Sequence, residues 1–136
     1  MFKKVMVAVD GSETAQEALQ EAHNIANSYQ GQLCIIHVVG DDADDSARQA
    51  GNNVLEQAKS NVSGLSSIET RLLESDSMYG LTGIAEAIAN AVNEWGANLL
   101  VVGTANRRGL ERFVMGSVAE QVVAKVAASI LLVRPR

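Results

Sequence analysis

Cysteine is almost absent from the 136-residue sequence, where Cys34 is the only one. A single cysteine excludes an intrachain disulfide framework and a thiolate metal site. Cys34 lies within the apolar run LCIIHVV, and no positive neighbour is evident that would lower the pKa of its thiol. We therefore interpret it as a buried, unreactive side chain.

Long hydrophobic runs and excess positive charge are also missing. No apolar run approaches the ~20 residues that a membrane-spanning helix needs, and the net charge of -5 argues against a general nucleic-acid surface. The opening MFKKVMVAVDGSE brings Asp10 and Glu13 soon after its apolar run and has no small-residue cleavage site, so it predicts a first strand rather than a signal peptide. We expect a cytoplasmic protein with neither a membrane nor a nucleic acid as partner.

Apolar runs typical of buried strands alternate along the chain with amphipathic helical patterns. No internal repeat, linker or low-complexity tract interrupts them, which predicts one domain over residues 1–136. The alternation predicts a doubly wound α/β fold with a five-stranded parallel sheet and helices on both faces. The predicted strands are 4–10, 33–39, 67–74, 98–103 and 130–133, with 67–74 at a sheet edge. The first predicted helix begins at Thr14, and the other three cover 46–60, 81–95 and 117–126.

Local signals predict where the first helix begins and ends. Thr14 followed by Glu17 matches a capping box, and Gly31 is placed to end the helix as a C-cap. The acidic run from Asp41 to Asp45 is interpreted as a solvated connection, because it lacks the glycine-centred spacing of a calcium loop.

The segment VVGTANRRGLERFVMGS, residues 101–117, has the arrangement of an anion-binding turn. A strand empties into Gly103, a basic turn follows, and Gly116 and Ser117 begin a helix whose N–H groups and dipole favour negative charge. Asp10, after the first strand, would face the same crevice as Gly103 if those two strands are neighbours. Phosphate is the predicted ligand.

Each of these residues also has a purely structural interpretation. Gly103 and Gly116 suit tight turns, Ser117 suits an N-cap, and Asp10 suits a helix cap or a hydrogen bond to the turn after the strand. Their joint spacing favours a nucleotide site. The roles of Arg107, Arg108 and Arg112 stay open between solvation and pairing with a terminal phosphate, and His23 and His37 are interpreted as structural.

The spacing Gly103, two residues, Asn106, nine residues, Gly116-Ser117 resembles the G-x-x-G-(nine residues)-G-[ST] nucleotide-binding signature of the universal stress protein family. The segments VAVDGS, HVV and ILLVRP resemble that family as well, and the likeness covers essentially the whole chain. One position departs from the signature, because Asn106 stands where the pattern has its second glycine.

The resemblance implies an ATP-binding domain of flavodoxin-like, adenine nucleotide alpha hydrolase-like fold. It implies a homodimer, with Ile130 to Val133 pairing across the two subunits, and ATP with magnesium as the ligand. Adenine and ribose would be held near the first two strands, and ribose and phosphates near the glycine signature. The residues implied are Val9, Asp10, Ser12 and Val38 for the former, and Gly103, Asn106, Gly116, Ser117 and the N–H of Val118 for the latter.

Two functions remain open on the sequence. The first is a dimeric ATP-binding stress protein in which nucleotide orders residues 104–115. The chain offers no evident general base, so turnover would be at most weak hydrolysis or autophosphorylation, with Mg²⁺ held mainly by the phosphates and no catalytic or metal-ligating residue assigned. The second is a nucleotide-free dimeric interaction module in which Asn106 marks a lost site. A flavin protein fits less well, because its phosphate loop would follow the first strand.

Overall fold

The computed structural model describes residues 1–64, 67–103 and 118–134. In these ranges five strands alternate with helices, as the sequence predicts. The strands are β1 (Lys4–Ala8), β2 (Gln32–Gly40), β3 (Ile68–Ser75), β4 (Leu99–Gly103) and β5 (Ser129–Val133). The helices are α1 (Glu13–Ser28), α2 (Asp45–Ser60), α3 (Gly80–Trp95) and α4 (118–125), and a short 3₁₀ turn, Ser77–Tyr79, precedes α3.

All five strands are parallel and lie in the order β3-β2-β1-β4-β5. The predicted doubly wound α/β sheet is therefore confirmed. β1 and β4 are adjacent in the middle, with Ala8 opposite Val102. Their near-continuous apolar sequences follow from this position, because a central parallel strand is covered on both faces.

Two apolar layers cover the sheet, one on each face. Side chains alternate between the faces along each strand, so that Val7 and Ile35 pack under α1 and α2 while Met6 and Ile36 pack under α3 and α4. Small residues on α1 allow it to lie close to the sheet. The buried residues of α1 are Thr14, Ala15, Ala18, Leu19, Ala22 and Ala26.

The two edges of the sheet differ in chemistry. β3 forms one edge, as predicted, and carries an ion pair in which Arg71 Nε lies 2.7 Å from Glu69 Oε2. β5 forms the other edge and has an apolar sequence, with Leu132 44% exposed. Charge on an edge strand discourages pairing with another strand, whereas an apolar edge invites it.

The predicted N-cap of the first helix is wrong by two residues. Ser12 is the N-cap of α1, and its Oγ accepts a hydrogen bond of 3.1 Å from the N–H of Ala15. Thr14 lies instead in the first turn, where it is buried. Thr14 and Glu17 have capping-box spacing, but the Ser12 hydroxyl can also accept from the N–H three residues on, and the chain turns at Gly11 so that the helix begins after Ser12.

The predicted role of Gly31 is also wrong. α1 ends at Ser28, and Gln30 is the residue that takes a left-handed conformation, with φ of 53°. Gly31 is required for a different reason, since a Cβ built on it would lie 2.5 Å from the carbonyl oxygen of Lys3. The glycine thus allows the end of α1 to pass against the chain just before β1.

The acidic connection after β2 is exposed, as predicted, but it is anchored at two points. Asp44 is the N-cap of α2, accepting from the N–H of Ala47 at 2.8 Å. Asp41 Oδ1 accepts from Ser77 Oγ at 2.9 Å. Hydrogen bonds from Ser77 lower the pKa of Asp41. Across residues 1–64, 67–103 and 118–134, no helix is long and apolar enough to cross a membrane.

Candidate functional site

The candidate site lies where β1 and β4 end side by side. α1 follows β1 and covers one face of the sheet, whereas α4 covers the opposite face, where its buried side chains pack with those of β4. The helices beside this pair of strands thus lie on opposite faces of the sheet, the arrangement that in doubly wound sheets opens a crevice beyond the carboxyl ends of the strands. Ligands of doubly wound sheets bind at such a switch in strand order.

Asp10 stands at the mouth of this crevice. It follows Val9, whose N–H donates to the carbonyl of Ile36 at 2.9 Å as the last backbone bond from the β1 segment to β2. Asp10 is exposed, and its Oδ1 accepts from the N–H of Ser12 at 2.9 Å. Gly11 between them has φ of 87°, a conformation that glycine adopts without strain.

The structural interpretations of Asp10 and Ser12 have a basis in this turn. One oxygen of the Asp10 carboxylate serves the turn, and the Ser12 hydroxyl serves as the N-cap of α1. Neither group is used up by these bonds, since a carboxylate accepts about four hydrogen bonds and a hydroxyl both donates and accepts. Both residues therefore retain capacity for a ligand.

Gly103 is packed directly against the start of α1. A Cβ built on it would lie 2.8 Å from Thr14 Cγ2 and 3.0 Å from the carbonyl oxygen of Thr14. Glycine is thus required here by packing alone, because the opposing atoms include backbone. The same contact brings the end of β4 against the first turn of α1, close to Asp10 in the chain.

Val38 presents backbone polar groups toward the crevice. In β2 the even-numbered residues point their N–H and C=O groups toward β1, as Gln32 does when its N–H donates to Lys3. Continuing that pattern would pair the N–H of Val38 with the carbonyl of Val9. Within the described part of the chain this bond is not formed, because β1 parts from β2 after Val9.

The remaining predicted site residues lie after β4. Val118 begins the described part of α4 and is 3% exposed, with its side chain in the apolar layer under α3 and α4. Any role of Val118 toward a ligand would thus fall to its backbone. Asn106, Gly116 and Ser117 lie outside the described residues, and so do Arg107, Arg108 and Arg112.

The residues interpreted as chemically inert have structural roles. Cys34 is fully buried, and burial raises the pKa of its thiol to about 12, so that it carries no thiolate near neutral pH. His23 Nε2 and His37 Nδ1 are each hydrogen-bonded to a backbone carbonyl, of Ser63 and Val9 respectively. In the described ranges, no group of three or more histidine, cysteine or acidic side chains is placed to bind a metal ion.

Sequence reasoning missed the contribution of α2 to this region. A cleft of ≈450 Å³ runs beside the turn after β1, between α1 and α2. Its lining includes Val9, Gly11 and Ser12 from the turn, and Gln57 and the C-cap Asn61 from the end of α2. Nothing in the sequence of α2 marks these amides, because exposed glutamine and asparagine are ordinary on a solvated helix face.

The sheet order and the crevice define a class, the doubly wound α/β domains with a ligand site at the switch point. Comparison with known proteins gives the family. The profile of the universal stress protein family matches residues 1–134, so the chain belongs to the universal stress protein family.

Relatives and solved structures agree with this assignment. The universal stress protein YxiE of Bacillus subtilis is 28% identical, over 98% of this chain and 100% of its own. A universal stress protein of Archaeoglobus fulgidus, solved in complex with dAMP, has a TM-score of 0.73 at 23% identity and covers 98% and 99% of the two chains. Another, solved in complex with cAMP, has a TM-score of 0.75 at 21% identity over 98% of both chains. The two structural likenesses establish the shared fold.

Proposed function

We propose that the protein is an ATP-binding universal stress protein that holds the nucleotide in the crevice between β1 and β4. One observation carries the proposal. Asp10 and Gly103, predicted from separate motifs 93 residues apart, stand at the carboxyl ends of two adjacent strands at the switch point of the sheet. Two relatives of the same fold have been solved with adenine nucleotides, dAMP and cAMP, which supports the same ligand class here.

Adenine and ribose fit the β1 and β2 side of the crevice. Adenine offers an N–H donor next to a ring-nitrogen acceptor, and the N–H and C=O of Val38 are a matching pair without a partner on β1. Asp10 is an exposed carboxylate suited to accept from ribose hydroxyl groups, with Val9 and Ser12 completing this wall.

Ribose and phosphates belong on the β4 side in this proposal. Gly103, Asn106, Gly116, Ser117 and the N–H of Val118 would hold them, in the order that the family signature gives. Mg²⁺ would accompany ATP and be held mainly by the phosphates, because this ion keeps several waters and takes few protein ligands. The protein would act through nucleotide-dependent signalling in the stress response, with hydrolysis at most slow.

Self-association through β5 is a second part of the proposal. β5 is an edge strand of apolar sequence, and an apolar edge favours addition of another strand, here the pairing of Ile130 to Val133 with the same strand of a second subunit. Sedimentation of a dimer would support the pairing of β5 strands, and a monodisperse monomer would contradict it. We further propose that residues 1–136 act as one cytoplasmic domain.

The ligand is tested by binding and by what co-purifies. The purified protein is heat-denatured, adenine nucleotides are sought in the supernatant, and the apo protein is titrated with ATP, ADP and AMP by calorimetry. Asp10→Ala and Gly116→Val should weaken ATP binding while the fold persists. Asp42→Ala removes an exposed carboxylate from the connection after β2 and is the matched control. An unchanged affinity for ATP in both Asp10→Ala and Gly116→Val would contradict the site assignment.

A nucleotide-free dimeric interaction module is the alternative, and the contact of Gly103 favours it. Thr14 explains this glycine by packing alone, and Asn106 replaces a signature glycine. On this alternative, no nucleotide co-purifies and none binds at millimolar ATP. Either result, binding or its absence, decides between the two functions.

A further inference from the structure

A side chain replaces a backbone hydrogen bond at the carboxyl end of β1. His37 Nδ1 lies 2.7 Å from the carbonyl oxygen of Val9. A carbonyl only accepts, so Nδ1 carries the hydrogen and donates it. The bond therefore fixes both the tautomer of His37 and the direction of the peptide group that joins Val9 to Asp10.

The acceptor of this bond is the one that the sheet would otherwise use. Regular parallel pairing would direct the N–H of Val38 at the carbonyl of Val9, one step beyond the last paired residues, Ala8 and Ile36. The carbonyl of Val9 instead accepts from Nδ1 of His37. The N–H of Val38 is consequently left without its ladder partner, next to the crevice.

The imidazole ring is held in place by α2. A Cβ built on Gly51 would lie 3.1 Å from Cδ2 of His37 and 3.2 Å from Cγ1 of Val39. The absence of a side chain at Gly51 lets α2 pack closely over the ring. His37 is half-buried between this helix and β1, which restricts its rotamers.

We infer that His37 is a positioning residue of the nucleotide site. By capping the carbonyl of Val9, it keeps β1 and β2 apart at their ends, orients Asp10 and leaves the backbone of Val38 free for adenine. This role rests on the proposed function, because it is the adenine nucleotide that would use the freed groups. His37 itself need not touch the ligand.

Two variants separate the donor from the ring. His37→Phe keeps an aromatic ring but removes the donor, and His37→Asn removes the ring but keeps an N–H donor at the same distance from the backbone. His23→Phe is the control, because His23, on α1, also bonds a carbonyl, that of Ser63 in the segment after α2. ATP affinity is measured by calorimetry, and amide hydrogen exchange of Val38 by NMR without nucleotide.

For His37→Phe we expect the Val9 carbonyl to pair with Val38. Exchange of the Val38 amide should slow roughly tenfold, and the Kd for ATP should rise roughly fivefold to tenfold, as for the loss of one hydrogen bond. His37→Asn should stay within about twofold of the wild type in both measurements. His23→Phe should alter neither.

The outcomes distinguish failure of the role of His37 from failure of the proposed function. If the wild type binds ATP and His37→Phe binds it equally well with unchanged Val38 exchange, the inference is wrong while the proposed function stands. If both His37 variants weaken binding alike, the ring packs rather than positions, and the inference is wrong again. If the wild type binds no adenine nucleotide, the proposed function fails, and the positioning role fails with it.

Discussion

At its amino end β1 is tied to Asn98, whereas at its carboxyl end it parts from β2 and turns away. The side-chain oxygen of Asn98 accepts from the backbone N–H groups of Lys3 and Lys4 at 3.1 and 2.8 Å. The backbone N–H of Asn98 in turn donates to the carbonyl oxygen of Lys4 at 2.8 Å. The ammonium of Lys4 donates to the carbonyl of Trp95 at 2.6 Å and lies 4.6 Å from its ring centre.

Among the described residues, the carboxyl end has fewer such bonds and more exposed polar groups. Val9 is held by one backbone bond to β2 and one bond from His37, and Asp10 is exposed beyond it. Backbone groups that pair with each other stabilise the sheet, and backbone groups left open are available to a ligand. Within the described residues, stabilising bonds are therefore concentrated at one end of β1, and the candidate site lies at the other.

The largest expected effect is at the amino end, in Gly31→Ala. The new Cβ would lie 2.5 Å from the backbone oxygen of Lys3, and overpacking against backbone costs about 2–3 kcal/mol of unfolding free energy. Gly40→Ala is the matched control, because its Cβ meets the Asp42 side chain at the same nominal distance and that side chain can rotate away. Urea unfolding of the two variants measures the difference, and equal losses would contradict the role given to Lys3.

Asn98→Ala should have an intermediate effect. It removes the acceptor for two backbone N–H groups, and because the site is exposed and water can replace the oxygen, we expect a loss of about 1–2 kcal/mol. Asn98→Asp keeps an oxygen at that position and should retain most of the stability. The Kd for ATP should not change in either variant. A weaker affinity would show that the two ends of β1 are not independent.

Ser12→Ala, at the carboxyl end, should have the smallest effect on stability. Loss of the N-cap of α1 costs about 1 kcal/mol, and Ser12→Thr, which keeps the hydroxyl, should cost only a few tenths. Thermal unfolding of both variants provides the measurement. If Ser12→Ala proved more destabilising than Gly31→Ala, the carboxyl end of β1 would carry the stability that we assign to the amino end.

Much of the fold could be predicted because burial leaves a periodic trace in the sequence. The apolar runs of β1, β2 and β4 and the apolar stripe of α3 identify these elements. The adjacency of β1 and β4 was only a condition in the prediction. Strand order depends on contacts between distant segments, which periodicity does not encode.

The errors occurred where two local signals compete or where a distant contact decides. Ser12 and Thr14 both have capping chemistry, and the sequence does not say which one the turn at Gly11 selects. Gly31 has the sequence signature of a C-cap, but its constraint comes from Lys3, 28 residues away. The sequence does place Asp10 and Gly103, yet the bond from His37 to Val9 is long-range and has no sequence signature.

The difference between the two sheet edges bears on how far association can proceed. A sheet with two open edges can add copies without limit and grow into a filament. Here one edge carries the Glu69 and Arg71 charges, which disfavour pairing there and leave β5 as the edge for which we propose pairing. If two β5 strands pair as proposed, the joint sheet of ten strands presents β3 at both ends. Assembly would then stop at two copies, and the third strand of the chain would protect it from polymerisation.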